Sequence, residues 1–247
     1  MQYLSQFCFV IILTLFLAGC VNDTPVSSEQ LNSSEESSIV TDDDFDFTNS
    51  LDKHRVSRAE VVAFQPAGDY GGGVLAPGTF FPPTGRGESR LLRRDGGIKY
   101  QLRTTGLPPG AYTNWMVVIN NPEECDGDCD DADVFGNPAT NSSAFWTTYG
   151  VVDDDGRGKF RGRVKVGEIS SDPAQHLFGP GLINPGGAEI HIIVKYHGPV
   201  SDDDDDFYLQ THTLTGLCDM DANAYFIPGL PFGEIQCFDP QLAIHKP

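Results

Sequence analysis

An alternation running from Glu189 to His197 constrains the fold of this chain more than any other stretch. Ile190, Ile192, Val194 and Tyr196 fall on one side of an extended backbone, and His191, Ile193, Lys195 and His197 fall on the other. That is the period of two that a strand imposes. Gly97 to Thr105 repeats it, with Ile98, Tyr100 and Leu102 against Lys99, Gln101 and Arg103. Ala111 to Asn120 places Trp115, Val117 and Ile119 on one face. Ala59–Phe64, Arg90–Arg94, Ala144–Val152, Lys159–Val166, Phe207–Leu214 and Ile235–Ile244 read as further strands. Asp155-Gly156-Arg157-Gly158 has the composition of a tight turn and predicts a hairpin between Ala144–Val152 and Lys159–Val166. Gly71-Gly72-Gly73, Pro77-Gly78, Pro82-Pro83 and Leu107-Pro108-Pro109-Gly110 mark loops. No segment longer than a turn or two carries a helical period. The chain is therefore expected to be all-β, a single antiparallel β-sandwich of immunoglobulin-like or jelly-roll-like type over residues 56–247. Eight or nine strands are expected, with a barrel as the alternative.

The first residues belong to a different regime. Phe9 to Ala18 is almost wholly apolar, too short to span a bilayer comfortably and followed by no basic cluster, which is the pattern of a secretory signal. It closes on Leu17-Ala18-Gly19-Cys20, where narrow side chains precede a cysteine. This tetrapeptide resembles the lipobox of bacterial lipoproteins. The resemblance implies a signal peptide over residues 1–19, cleavage before Cys20 and acylation of that cysteine with two or three chains. Residues 2 to 8 depart from the pattern in carrying no Lys or Arg. An ordinary cleaved signal with an incidental cysteine is the alternative. Each buried methylene contributes about 0.8 kcal/mol, so several acyl chains hold a protein at a membrane where one does not. Val21 follows the cysteine with no Asp beside it, which by the sorting pattern of such lipoproteins implies the outer membrane of a Gram-negative bacterium.

Residues 20–55 are rich in Ser, Glu, Asp, Asn and Thr, with Ser33-Ser34-Glu35-Glu36-Ser37-Ser38 and Asp42-Asp43-Asp44 as the densest parts. They hold too little apolar surface to offset the entropy of ordering, so a disordered acidic linker is expected, with a reach of roughly 30 Å. The whole chain carries 35 Asp and Glu against 16 Lys and Arg, a net charge of −19. Such a surface repels nucleic acid and anionic headgroups and attracts cations, so a nucleic-acid partner is not expected.

With Cys8 in the signal and Cys20 committed to lipid, Cys125, Cys129, Cys218 and Cys237 remain. Four cysteines allow three pairings. Local closure in an oxidising compartment favours Cys125–Cys129 and Cys218–Cys237, while a thiolate metal site is the rival reading. Asp126, Asp128, Asp130 and Asp133, with Asp131 among them, offer alternate carboxylates suited to Ca²⁺. The EF-hand pattern fails there, because Asp131 stands where Gly is needed. A solvated acidic loop is the simpler expectation, as it is for Asp202 to Asp206 and for Asp153-Asp154-Asp155. His191, His197 and His212 are the remaining candidate metal ligands. His191 and His197 share a strand face but stand about 20 Å apart along an extended chain. At most His212 joins one of them, and satisfied or exposed histidines are the simpler expectation.

The chain lacks a Gly-x-Ser-x-Gly elbow, a His-Glu-x-x-His pair and a phosphate-binding glycine loop. Gly106-Leu107-Pro108-Pro109-Gly110-Ala111-Tyr112-Thr113-Asn114-Trp115, the segments Leu177–Leu182 and Ala188–Pro199, and the closing Gln241–His245 resemble a group of exported bacterial β-domains without an established activity. They are also faintly similar to CHRD-type domains. The resemblance implies the sandwich and no chemistry. The expected function is a lipid-anchored cell-envelope protein serving as a non-catalytic structural or binding module, with the membrane and an envelope component or small ligand as partners. A metal-dependent hydrolase, using Ca²⁺ or the histidines, is the alternative.

Overall fold

Alternation becomes pairing wherever two strands bury the same face. The structure, a computed structural model, describes residues 56–63, 86–217 and 238–247, all within the unit Val40–Pro247. The expected signal peptide, the linker 20–55 with Cys20, and the pair Cys218 and Cys237 lie outside the described residues. Among the described residues the strands are β1 (Val56–Ala63), β2 (Gly87–Arg94), β3 (Gly97–Thr104), β4 (Gly110–Ile119) and β5 (Ser142–Val152). They continue with β6 (Gly158–Lys165), β7 (His176–Phe178), β8 (Glu189–Tyr196) and β9 (Phe238–His245). The helices α1 (Asp131–Gly136) and α2 (Asp204–His212) complete the set. No helix of the described residues is long and apolar enough to cross a membrane.

The all-β class holds, with nine strands among the described residues, all paired antiparallel. Two separate sheets are not what the hydrogen bonds make. They join every strand into one sheet in the order β6-β3-β2-β1-β9-β8-β4-β5-β7, curled as a half-barrel around its own core. Right-handed twist accumulates along such a sheet, and the irregularity in β4–β5 pairing at Asn114/Trp115 adds to it. The ends of the sheet then face each other. Tyr100 of β3 donates its hydroxyl to Asn114 Oδ1 of β4 at 3.1 Å and lies 2.6 Å from Thr147 Oγ1 of β5. Glycines permit this approach. A Cβ on Gly162 would stand 2.2 Å from the Tyr100 ring, and one on Gly150 would stand 3.0 Å from Phe160.

Two expectations about the chain path are corrected. The turn after β5 forms, with the Gly156 N–H donating to Asp153 O at 3.0 Å, but β5 and β6 make no hairpin. β6 pairs instead with β3 along its whole length, from Gly97↔Lys165 to Thr104↔Gly158. The inward Phe160 and Val164 thereby meet Leu102 and Ile98 across the ladder, a contact between apolar faces that turn composition cannot foretell. The second correction is Phe207–Leu214, expected as a strand. It lies in and just beyond α2, whose N-cap Asp203 accepts from the backbone N–H groups of Asp205 and Asp206. Three aspartates in the first turn and His212 in the last complement the helix dipole.

The concave face holds the core. Leu91, Tyr100, Leu102, Tyr112, Met116, Phe160, Ile190, Ile192 and Ala243 are fully buried or nearly so. The Tyr112 ring is tilted against those of Phe160 at 6.2 Å and Tyr196 at 5.1 Å, tying β4 to β6 and β8. The convex face is divided. Over β4 and β5 it is covered, and Val117, Ile119 and Ala144 lie beneath Cys125, Cys129 and Val134 of the loop that leads into and through α1. For this reason every residue of β4 is buried. Over β6, β3 and β2 the outward positions are basic. β6 sends out Lys159, Arg161, Arg163 and Lys165 between its inward Phe160 and Val164. Lys99 and Arg103 of β3 lie beside them, followed by Arg90 and Arg94 of β2 and Arg58 of β1.

Candidate functional site

The expected acidic loop is built as a helix start. Cys125 and Cys129 form a disulfide, with Cα atoms 5.2 Å apart. Asp130 caps α1, its Oδ1 accepting from the N–H groups of Ala132 at 2.8 Å and Asp133 at 3.2 Å. Asp133 answers with Oδ2 to the N–H of Asp130 and Oδ1 to the N–H of Asp126, both at 3.2 Å. This reciprocal capping box consumes the buried Asp133 carboxylate. Asp128 is drawn away to Lys246, whose ammonium holds its carboxyl below the usual range. Asp126 is exposed. The four aspartates proposed for Ca²⁺ are thus not convergent, and no group of three or more His, Cys, Asp or Glu among the described residues is arranged to hold a metal ion.

The three histidines are also kept apart by separate partners. His191 Nε2 lies 2.7 Å from Glu189 Oε1, both side chains buried on the convex face of β8. His197 is fully buried, with Nε2 at 2.7 Å from Thr113 Oγ1, which also accepts the indole N–H of Trp115 at 3.0 Å. Burial, with a smaller push from Lys195, lowers its pKa to about 3. His212 is stacked between Tyr208, at 4.3 Å, and Trp146, at 5.4 Å, with Tyr149 tilted against it at 5.1 Å. Burial lowers its pKa as well. Tyr208 is 50% exposed and Tyr149 38% exposed, so this cluster presents an aromatic surface to solvent. Gln210 seats α2 on the end of β8, donating to the carbonyls of His197 and Pro199 and accepting from the N–H of Ser201.

His245 joins side chains of two other strands. Its Nδ1 lies 3.0 Å from Ser57 Oγ and its Nε2 lies 2.8 Å from Ser89 Oγ, linking β9 to β1 and β2. Beside it Arg93, 6% exposed, donates to the carbonyls of Pro185, Ala188, His245 and Lys246. A cavity of about 420 Å³ adjoins, lined by Ser57, Arg93, Asp95, Asn184 and Pro185 among others. A serine, an imidazole and a second hydroxyl in line have the outline of a nucleophile with its base. Burial, and secondarily the Arg93 charge, lowers the His245 pKa to about 4, which makes the ring a weaker base toward Ser57 than one poised near neutral pH. The arrangement holds three strands together. A signal for it was present in the last strand. Ala243 faces the core, so Gln241 and His245, two residues to either side, must face it too.

A second concavity, of about 480 Å³, opens at the end of the basic face and is lined by Arg86, Arg103, Thr104, Thr105, Arg157, Gly158 and Lys159. Its floor is fixed by Thr104, which donates to Gln241 Oε1 at 2.7 Å. Arg157 approaches Asp155 at 4.0 Å. The cationic side chains Arg86, Arg103, Arg157 and Lys159 at this concavity suit recognition of anionic oxygens.

These features define a class: an all-β half-barrel of one antiparallel sheet, with a disulfide-pinned flap and a short helix on its convex side. Beyond the class, no protein-family profile, no curated protein and no solved structure matches the chain. The likeness to exported bacterial β-domains therefore stands on the phrases quoted for it alone.

Proposed function

We propose that this chain is a lipid-anchored cell-envelope protein whose half-barrel serves outside the cytoplasm as a structural or binding module. The observation that carries the reading is Leu17-Ala18-Gly19-Cys20 at the close of an apolar run. The Cys125–Cys129 disulfide supports it, because such bonds persist in oxidising compartments. The acidic segment 20–55 serves as a tether, and Val21 after the cysteine favours the outer membrane of a Gram-negative bacterium. Binding is favoured over catalysis by what the buried imidazoles do. His197 and His245 are held neutral among hydroxyl partners, while aromatic and cationic side chains are presented to solvent at Tyr149, Tyr208, Arg94, Arg103 and Arg163.

The test is lipid attachment at one residue, Cys20. Cells expressing the full chain and supplied with labelled palmitate are expected to incorporate label into the protein and retain it with membranes. The Cys20→Ser chain is expected to carry none. Label of equal strength in Cys20→Ser contradicts the anchor.

A further inference from the structure

We propose that the convex face of β6, β3, β2 and β1 is a docking surface for the anionic phospholipid headgroups of the membrane that holds the chain, laying the half-barrel on the bilayer in one orientation. This deepens the lipid-anchor reading and rests on it for the choice of membrane. More than half of the chain's 16 Lys and Arg stand at outward positions of these four strands, in a protein of net charge −19. The strand register sets like charges directly opposite one another. Lys99 faces Arg163, Arg103 faces Lys159, and Arg58 faces Arg90. Such cross-strand pairs are destabilising on their own. Outward carboxylates are few there. Glu88 takes Arg58 and Arg90 and stands opposite Glu60 on one side and Arg103 on the other, and Glu168 takes Lys165 at the end of β6. Among the described residues no carboxylate lies within ion-pair distance of Arg94, Arg103 or Arg163, which are all exposed.

Shape and the opposite face select the occupant. Four adjacent strands of eight residues make a surface about 15 Å wide and about 27 Å long, far larger than one small anion and suited to a lattice of single negative charges. The two ends of the curled sheet face each other across the core, so their convex sides point away from one another. The side away from the basic face carries the aspartates of the α1 loop and the Asp203–Asp206 start of α2. Cations thus outnumber carboxylates on one side, where Glu88, Glu168 and the Asp155 turn are the acidic neighbours, and aspartates dominate the other. A polybasic surface adds to an acyl anchor in the way that two membrane signals do.

The proposal is tested with the mature chain, residues 20–247, bearing Cys20→Ser so that only the face is read. Flotation uses phosphatidylcholine vesicles with and without about one third phosphatidylglycerol, at about 50 mM and about 500 mM salt. The chain is expected to float with phosphatidylglycerol vesicles at low salt, to ignore pure phosphatidylcholine, and to dissociate at high salt. Each cation removed weakens such binding about fivefold, so Arg94→Gln, Arg103→Gln and Arg163→Gln together are expected to weaken it roughly a hundredfold. All three side chains are exposed, and an unchanged circular dichroism spectrum and melting temperature verify folding. Asp204→Asn with Asp205→Asn is expected to leave binding intact or strengthen it. Binding blind to phosphatidylglycerol, no flotation at all, or a triple variant that binds like its parent overturns the proposal. So does head-to-tail self-association that the triple variant abolishes without any vesicle binding, which assigns the face to a second copy. Failure of acylation at Cys20 would leave the vesicle result standing, so the two claims fail separately.

Discussion

Acidification from pH 7 to pH 4 is expected to unfold the half-barrel. In the folded chain His245 has its pKa lowered from 6.5 to about 4 and His197 from 6.5 to about 3, in both cases chiefly by burial. Both rings are neutral in the folded protein at neutral pH, and the unfolded chain takes up their protons near 6.5. Stability is therefore fully present above that value and falls as the pH drops below it. The fall ends near pH 4 for His245 and near pH 3 for His197, where the folded form binds the proton too. Each ring contributes a slope of about 1.4 kcal/mol per pH unit, so by pH 4 each costs about 3 kcal/mol. Two such losses rival the roughly 5–15 kcal/mol that holds a typical domain folded. The lowered pKa of His212 acts in the same direction, and that of Glu88 takes effect only below its ordinary 4.5. Urea unfolding at a series of pH values reads the slope, and His245→Gln or His197→Gln is expected to remove about half of it. A stability flat between pH 7 and pH 4.5 would contradict the buried, neutral placement of both rings.

Replacing Tyr100 by Ala is expected to destabilise the fold by about 4–5 kcal/mol, near the top of the range for losing an aromatic side chain from a core. Tyr100 is fully buried where β3 looks across the interior at β4 and β5. Gly162 is shaped to its ring, so nothing adjacent can swing in to fill the cavity. Tyr100→Phe separates the two contributions. It keeps the ring and loses the hydroxyl shared with Asn114 and Thr147, leaving a buried amide oxygen without its donor, at about 1–2 kcal/mol. Equilibrium unfolding of the three proteins gives both differences. Equal losses for Ala and Phe would mean that the hydroxyl rather than the ring holds the two ends of the sheet together.

Strand existence was legible because alternation is local. The alternations read at Gly97–Thr105, Ala111–Asn120 and Glu189–His197 became β3, β4 and β8 with their ends moved by a residue, since each presents one apolar face whatever its neighbour is. Partner choice was not legible. Asp155-Gly156 marks a turn equally well between paired strands and between the two ends of a curled sheet, and the match of Phe160 and Val164 to Leu102 and Ile98 decided it. The helix α2 was hidden by β-branched and aromatic residues after Asp206. Its signal lay in the aspartates, which read as a charge run but serve as an N-cap and first turn. Asp130-x-x-Asp133 carried the same message on a smaller scale. β7, with three residues, is too short for periodicity to reveal.

The candidate surfaces divide in the same way. The Cys125–Cys129 bond could be read from spacing, because closing so short a loop needs nothing distant. The burial of His245 and the basic face depend on which strands become neighbours. Net charge pointed the wrong way for that face, since −19 averages an acidic linker and acidic loops with a basic set of strands. Alternation in Lys159–Lys165, basic outside and Phe160 and Val164 inside, held half of the signal. The other half, β3 and β2 alongside with the same sign outward, exists only in the assembled sheet.

The fatty anchor proposed on Cys20, which would hold this half-barrel outside the cytoplasm, can be read from the intact mass of the native protein. Protein extracted from the membrane fraction is expected to have the mass of the chain from Cys20 onward plus a diacylglyceryl group and an amide-linked fatty acid. A mass equal to the polypeptide alone, with or without residues 1–19, would contradict it.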